Sequence, residues 1–344
     1  MNHYLAIKES SLPEAEAAMA RFPFPIPNGW FAVARSDEVE TGQVRPARYF
    51  GRDLALFRTA SGEAMVVDAY CPHLGANLAM GGKVAGELLE CPFHAWRFDG
   101  TSGRCVEVPY SEAEPSAKAR VRSYPVVERF GLIFAWHHLG GAEPYIEMPV
   151  MGEFDDDDWT DLVFHEFRIA TCCQEMAENN ADYVHFKYVH GLETVPGGAV
   201  EYDGFVKTVT ERQEFKNAKG KTYPLDFVRQ SYGLGLGALR LKGVMSFVSS
   251  VSPVDEENVH VRWVFTMPES MAGFAAKMIK TFVDALAEDI PIWENKTYIE
   301  KPLLIKGDGP IIEFRHWARQ FYGENIPAEP WVPPHTKRLE SSGV

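Results

Sequence analysis

Apolar and polar positions divide the chain into two stretches of different rhythm. From Trp30 to about residue 140, short apolar runs recur: Trp30 to Ala34, ALFRT (55–59), AMVVDAY (64–70), RCVEVPY (104–110) and LIFAWHH (132–138). Ser61-Gly62, Gly81-Gly82 and Asp99-Gly100 punctuate them. Short strands spaced in this way predict a small all-β domain. The acidic run Asp155 to Asp158 reads as a solvated loop near a boundary, and beyond it the pattern changes. Residues 172–190 have a helical pattern and 191–200 read as a Gly/Pro-rich loop. Alternating stretches follow at GFVKTVTERQEF (204–215), GVMSFVSSVSPV (243–254) and NVHVRWVFTM (258–267). In the last, Val259, Val261, Trp263 and Phe265 alternate with His260, Arg262 and Val264, which predicts a half-buried antiparallel strand. Residues 270–300 predict one long helix, with Phe274, Met278, Phe282, Leu286 and Ile290 at steps of four. Pro291 is expected to kink it. A short helix is expected over 11–21, before the Pro-rich FPFPIPNGW. The fold class expected is α+β. The divisions expected are an N-terminal helix and linker (1–27), an all-β domain (28–140), a second domain of antiparallel sheet plus helices (141–330) and a tail (331–344).

Composition narrows the functional classes. The 344 residues carry 34 Lys and Arg against 48 Asp and Glu, a formal net charge of −14. That balance argues against general nucleic-acid binding, which needs a basic face to displace counterions. No stretch reaches the roughly 18 apolar residues of a membrane span, and the first residues lack the basic and apolar regions of a signal peptide. Five cysteines, an odd number, do not suggest a disulfide framework. A soluble cytoplasmic protein is the expectation.

The first candidate site is Cys71-Pro-His73 with Cys91-Pro-Phe-His94, seventeen residues apart, each half followed by a turn (Leu74-Gly75 and Ala95-Trp96). Two thiolates and two imidazoles can hold zinc. They can also hold a [2Fe–2S] cluster in which two His replace two Cys on one iron. Zinc sites commonly use C-x2-C or H-x3-H halves. Here each loop offers one Cys and one His, which fits two metals better than one. The surroundings CPHLGANL and CPFHAWRFDG resemble the Rieske family. Cys105, Cys172 and Cys173 stand outside this pattern and read as core or structural thiols.

The second candidate site is the run from Glu178 to His190, ENNADYVHFKYVH. Asp182 and His185 share a face if the segment is helical. His185 and His190 are about 140° apart on an ideal helix. They converge only if the helix ends or bulges between them. The spacing D-x2-H-x4-H resembles the iron-binding segment of Rieske non-haem oxygenases. Two His and one carboxylate leave open positions on Fe(II) for dioxygen and substrate. The resemblance implies that His185 and His190 bind a mononuclear iron and that a late helix supplies the third ligand. Its position matches Asp289. Glu288 competes, about 100° away on the helix, so both are not expected to face the iron. His165 and His260 read as ordinary strand residues.

The resemblance runs from about Trp30 to Tyr322. It is strongest to the steroid and sterol branch, which includes 3-ketosteroid 9α-hydroxylase oxygenase components and cholesterol 7-desaturases. The motifs that carry it are CPHLGANL with GGKVAG, ECPFHAW, VPYSE, ADYVHFKYVHG and IWENKTYIEKPLLIKGDGP. It implies a Rieske [2Fe–2S] domain followed by a helix-grip catalytic domain. Cys71, His73, Cys91 and His94 would hold the cluster. An electron would pass from His94 through Asp182 to His185 of an adjoining subunit, in a closed ring such as a homotrimer. Asp182 would orient a ligand His, and Asn179 would stand near the open coordination face. Electrons from NADH or NADPH would come through a separate ferredoxin or ferredoxin reductase, because no Rossmann or P-loop fingerprint is present. Animal desaturases carry an N-terminal membrane segment that is not read here, so a soluble bacterial enzyme is expected.

The substrate expected is a neutral, hydrophobic, steroid-like molecule. Phe205, Phe227, Tyr232, Leu234, Leu236, Leu239, Met245, Phe247, Trp263 and Phe265 supply core and some of a pocket, and no charge cluster stands out for an ionic substrate. Hydroxylation, desaturation and demethylation all remain open. A smaller aromatic or N-/O-methyl substrate is the alternative. A non-catalytic Rieske electron carrier is the remote one, since it would not need His185, His190 and Asp289. The run Tyr232 to Gly237 reads as a flexible strand or pocket edge. Lys118, Arg120 and Arg122 read as solvated surface within reach of an acidic ferredoxin.

Overall fold

A computed structural model describes residues 20–192, 195, 198–216 and 222–333. Nearly all of the helix expected over 11–21, and the tail from 334, lie outside the described residues. The N-terminal part is built of β1 (Gly29–Arg35), β2 (Val44–Tyr49), β3 (Arg52–Arg58), β4 (Ala64–Asp68), β5 (Lys83–Ala85), β6 (Leu88–Glu90), β7 (Arg97–Asp99), β8 (Cys105–Glu107), β9 (Ser123–Tyr124), β10 (Val126–Arg129) and β11 (Leu132–His137). They form three antiparallel sheets in the orders β2-β3-β4-β9, β1-β11-β10 and β5-β6-β7-β8. The apolar runs of the sequence become β1, β3, β4, β8 and β11. Their inward residues, such as Phe31, Leu54, Val66 and Phe134, are fully buried.

The second part opens with β12 (Val163–Ile169), α1 (Cys173–Glu178) and α2 (His185–Tyr188). The strands β13 (Gly198–Asp203), β14 (Val206–Lys216), β15 (Thr222–Tyr232), β16 (Leu236–Leu241), β17 (Met245–Pro253) and β18 (Val259–Thr266) then run as a meander. With β12 joined to β18, they make a seven-stranded antiparallel sheet. Helices α3 (Ala275–Asn295) and α4 (Ile311–Ala318) close the chain. The α+β expectation, an all-β domain followed by a sheet with few helices, is what forms.

Three expectations are corrected. Residues 172–190 are not one helix: α1 gives way to a 3-10 turn at Asn179–Ala181, Asp182 is extended, and α2 is a separate turn. The long helix starts later than expected, after a 3-10 segment at Glu269–Phe274, and Phe274 is exposed. Its buried stripe is Ile279, Leu286, Asp289 and Trp293, and it continues through Pro291. Strand β18 is buried on both faces rather than one. One face packs with Phe247 and Ile279 beneath α3. The other meets the N-terminal sheets: Arg262 Nη1 donates to the Ala32 carbonyl at 2.8 Å. The Tyr49 hydroxyl lies 2.8 Å from His260 Nδ1, and His260 Nε2 lies 2.7 Å from Glu166. Burial and the nearby Arg262 and Arg168 push the His260 imidazole down to about 3. It is therefore a neutral strand residue on the seam between the two parts. Gly235 belongs to the same seam, since a Cβ there would stand 2.1 Å from the Phe31 ring. The glycine-rich run joins β15 to β16, and its Gly235 packs against β1. Among the described residues no helix is long and apolar enough to cross a membrane.

Candidate metal centres

The loops β4–β5 and β6–β7 carry the first site and repeat one backbone design. Gly75 N–H donates to Cys71 O at 2.9 Å, and Cys71 N–H donates to Ala76 O at 2.9 Å. Ala95 N–H donates to Cys91 O at 3.1 Å, and Cys91 N–H to Trp96 O at 2.8 Å. Both turns need a left-handed residue. Gly75 supplies it freely at φ +77°, whereas Ala95 holds φ +56° against the strain of its Cβ. The loops aim their side chains at one another. The His73 and His94 rings lie 4.8 Å apart, and His73 stacks on Trp96 at 4.4 Å. Trp96 Nε1 donates to the Tyr110 hydroxyl at 2.8 Å, which fixes that platform.

The donor set fits a metal group. Cys71 and Cys91 are both buried and unbridged. Burial, with the neighbouring Cys91 adding to it, pushes the Cys71 thiol up to about 11. His73 Nδ1 is buried with no hydrogen-bond partner. A buried, unmet ring nitrogen beside crowded thiols is costly without a ligand and is resolved by metal coordination. Cys105 is buried close by, its Sγ 3.5 Å from the Glu107 carbonyl.

The second site is assembled by three elements. His185 opens α2, His190 follows its end, and Asp289 comes from α3; their ligand atoms all lie within 4.8 Å of one another. Convergence of the two His is achieved by ending the helix, not by a bulge. Val189 N–H bonds to His185 O at 2.7 Å, and Gly191 turns left-handed at φ +67°. The His185 and His190 rings then stand 5.2 Å apart, nearly perpendicular. Asp289 sits between Leu286 and Trp293 on the buried stripe. An acid placed among apolar neighbours in this way is held for a partner.

Hydrogen bonds preset both rings as ligands. His185 Nδ1 faces the Asp182 carbonyl at 2.5 Å, and its Nε2 faces the Asn179 amide at 3.2 Å. The same amide donates to Asp289 Oδ2 at 3.2 Å. His190 Nδ1 faces Glu288 Oε2 at 2.9 Å, while Nε2 lies 3.4 Å from Asp289 Oδ2. Oxygen acceptors at both Nδ1 atoms put the proton there and leave both Nε2 lone pairs turned inward. Burial pushes His185 down, against the pull of Asp289. Burial pushes Asp289 up, against the two His.

The sequence candidates are thus largely brought together. Asp289, the residue expected there, lies with the two His, and Glu288 stands on the far side of His190. Asp182 touches His185 through its carbonyl. Its carboxylate instead accepts the backbone N–H of Val184 at 3.2 Å and of His185 at 3.4 Å. Sequence reasoning missed the supports. Arg315 of α4 grips Glu178 with two bonds, at 2.8 and 2.7 Å, directly before Asn179. Gly309 packs where a Cβ would stand 1.7 Å from the Ala181 carbonyl. Of the basic trio, Lys118 and Arg120 are exposed. Arg122 is tied to the His138 carbonyl at 3.0 Å and lies over the Tyr124 ring.

Comparison with known proteins agrees with this geometry. Residues 29–125 match the Rieske [2Fe-2S] domain, and residues 135–322 match the 3-ketosteroid 9α-hydroxylase C-terminal domain. The chain is 35% identical to cholesterol 7-desaturase of Caenorhabditis elegans, over 89% of this chain and 79% of that protein. It is 31% identical to a 3-ketosteroid-9-alpha-monooxygenase oxygenase component of Rhodococcus rhodochrous, over 92% and 89%. The fold superposes on NdmA of Pseudomonas putida CBB5 with caffeine, with a TM-score of 0.70 at 19% identity, covering 85% of this chain and 89% of that one. The chain belongs to the 3-ketosteroid 9α-hydroxylase family of Rieske oxygenases, oxidoreductases whose cofactors are a Rieske [2Fe–2S] cluster and a mononuclear iron.

Proposed function

We propose that the chain is the oxygenase component of a multicomponent system that hydroxylates, desaturates or demethylates a steroid or sterol. The observation that carries this reading is the His185–His190–Asp289 triad, preset with its Nε2 lone pairs inward, in a chain that also carries the two matched Cys/His loops. Relatives named for cholesterol and 3-ketosteroids, aligned over about nine-tenths of the chain, support the substrate class. Cys71, His73, Cys91 and His94 would hold the cluster, and His185, His190 and Asp289 the iron. When bound, the two groups would supply electron storage and dioxygen activation, with electrons drawn from a separate reductase or ferredoxin.

The chain's own residues have definable parts in this. Asn179 donates its amide to Asp289 and keeps that carboxylate oriented at the edge of the triad. Asp182 fixes the tautomer of His185 through its carbonyl and caps α2 with its carboxylate. That leaves Asp182 at the outer end of the ligand, where it would meet a neighbouring subunit. Exposed apolar side chains flank both sites. Leu74, Met80, Phe93 and Tyr110 surround the Cys/His loops, and Tyr188, Ile292, Leu303 and Ile305 lie beyond the triad. Two such patches suit a head-to-tail ring of identical chains, a trimer being the simplest. Five unbridged cysteines suit a reducing compartment, the cytoplasm.

The test is to reduce the iron-loaded protein, expose it to oxygen with a panel of sterols and 3-ketosteroids, and weigh the products. A gain of one oxygen makes it a hydroxylase or the first step of a demethylase. A loss of two hydrogens makes it a desaturase. No product across the panel, with both metals present, rejects the steroid reading in favour of a smaller aromatic or N-/O-methyl substrate.

A further inference from the structure

His185 stands on an element that cannot hold itself. Helix α2 has four residues, and none of them is fully buried. One helical turn fixes several dihedral angles for a single hydrogen bond, so it forms only where tertiary contacts hold it. Lys187 and Tyr188 are exposed, Tyr188 over 77% of its surface. Phe186 is left as the apolar link between this turn and the rest of the domain.

Phe186 bears on both histidines of the triad. Its ring centre lies 4.2 Å from that of His185 and 5.7 Å from that of His190, with tilts of 34° and 57°. These are the separations of packed aromatic rings. The hydrogen bonds at Nδ1 fix which nitrogen of each imidazole carries the proton. A bond at one atom still lets a ring tilt about it, whereas a second ring packed against its face does not.

Behind Phe186 stands a charged pair from the sheet. The guanidinium of Arg229 on β15 lies 5.3 Å from the centre of the Phe186 ring and 5.7 Å from that of Phe227. Phe227 and Arg229 are two apart on one strand, so they share a face of the sheet. Arg229 Nη1 donates to Glu211 Oε1 of β14 at 2.8 Å. The Glu211 side chain is 1% exposed and that of Arg229 19%. A carboxylate so deeply buried keeps its charge only when paired, and the pairing holds the guanidinium in one place. The two charges offset each other, so the pair offers Phe186 a fixed surface. Arginine suits the task because its planar head stacks on rings.

We infer that Phe186 is a positioning residue for the metal centre, backed by the Arg229–Glu211 pair, so that the sheet sets the angle between the two imidazole ligands. This rests on the triad being an iron site and deepens that reading, since it assigns what holds the ligand geometry.

The test uses the full chain with its cluster in place. Iron remaining after dialysis against a graded chelator is measured for each variant. The same proteins, with cobalt(II) in place of the triad iron and the cluster oxidised, are compared by EPR, because the cobalt spectrum follows the ligand angles. Thermal unfolding reports the fold separately. Phe186→Leu is expected to lower iron retention about tenfold and to alter the cobalt spectrum, and Phe186→Tyr, which keeps the ring, to restore both. Arg229→Met should lower retention about threefold, and Arg229→Lys, which keeps a cation over the ring, should recover part of that. Since Arg229 acts through Phe186, adding Arg229→Met to Phe186→Leu should lower retention no further. Should Arg229→Met fail to fold, the comparison of Phe186→Leu with Phe186→Tyr carries the test alone. Wild-type retention and an unchanged cobalt spectrum in Phe186→Leu overturn the positioning role and leave the triad intact. Additive losses in the double variant overturn the backing by Arg229. A wild-type protein that binds neither iron nor cobalt at the triad overturns both this inference and the iron site.

Discussion

At His190 the two ring nitrogens are given different tasks by adjacent acids of α3. Nδ1 faces Glu288 and Nε2 faces Asp289. The sequence left these acids in competition, because residues about 100° apart on a helix cannot both face one ion. Both serve the same ligand because an imidazole has two sides. Asp289 was legible only through its position in the resemblance, and the use of Glu288 was not legible at all, since half its surface is open to solvent. The geometry makes Glu288 a positioning residue that holds the His190 proton on Nδ1. Glu288→Ala is expected to weaken iron retention by about tenfold to a hundredfold, and Glu288→Gln, which keeps an acceptor oxygen, by less. Iron remaining after dialysis against a graded chelator measures this. Unchanged retention in Glu288→Ala would remove Glu288 from the site.

At the scale of elements, the segment from α1 to α2 is held by contacts that arrive from far along the chain. Its composition reads as continuous helix. Just before the break at Asp182, Gly309 packs against the Ala181 carbonyl and Arg315 clamps Glu178. No local pattern encodes either. The Cys/His loops are the opposite case. Their turns, capped by Gly75 and Ala95, close within five residues of each ligand, so spacing alone predicted them. Arg315 and Glu178 are both about nine-tenths buried, so removing one leaves the other charged and unpaired. Arg315→Met is expected to cost about 3–5 kcal/mol, read from denaturant unfolding of the metal-loaded protein. Adding Glu178→Gln should restore part of that loss, because the orphaned carboxylate is what makes the single change expensive. A single variant as stable as wild type would show that the clamp does not hold the segment.

For the whole molecule, the seam between the two parts decides which surfaces are left for partners. β18 was expected to wet one face. Instead that face is sealed by β1, with Arg262 on the Ala32 carbonyl and His260 between Tyr49 and Glu166. Alternation alone cannot tell solvent from a second domain when the outward residues are polar. With the seam sealed, exposed apolar side chains remain on the Cys/His loops, among them Leu74 and Phe93, and next to the triad in sequence, Tyr188 and Ile292. If these two patches meet between copies, one subunit's loops serve the next subunit's triad. Two inactive variants then complement each other. His94→Ala disables the loops and Asp289→Ala the triad. In randomly mixed rings from equal amounts, half the chains keep a triad, and half of those have an intact neighbour. Turnover should recover to about one quarter of wild type. Each variant alone should stay inactive, and the recovery should vanish when the two are mixed only after assembly, without subunit exchange. No recovery in mixed rings would mean that each chain's loops serve its own triad, and the head-to-tail arrangement would fall.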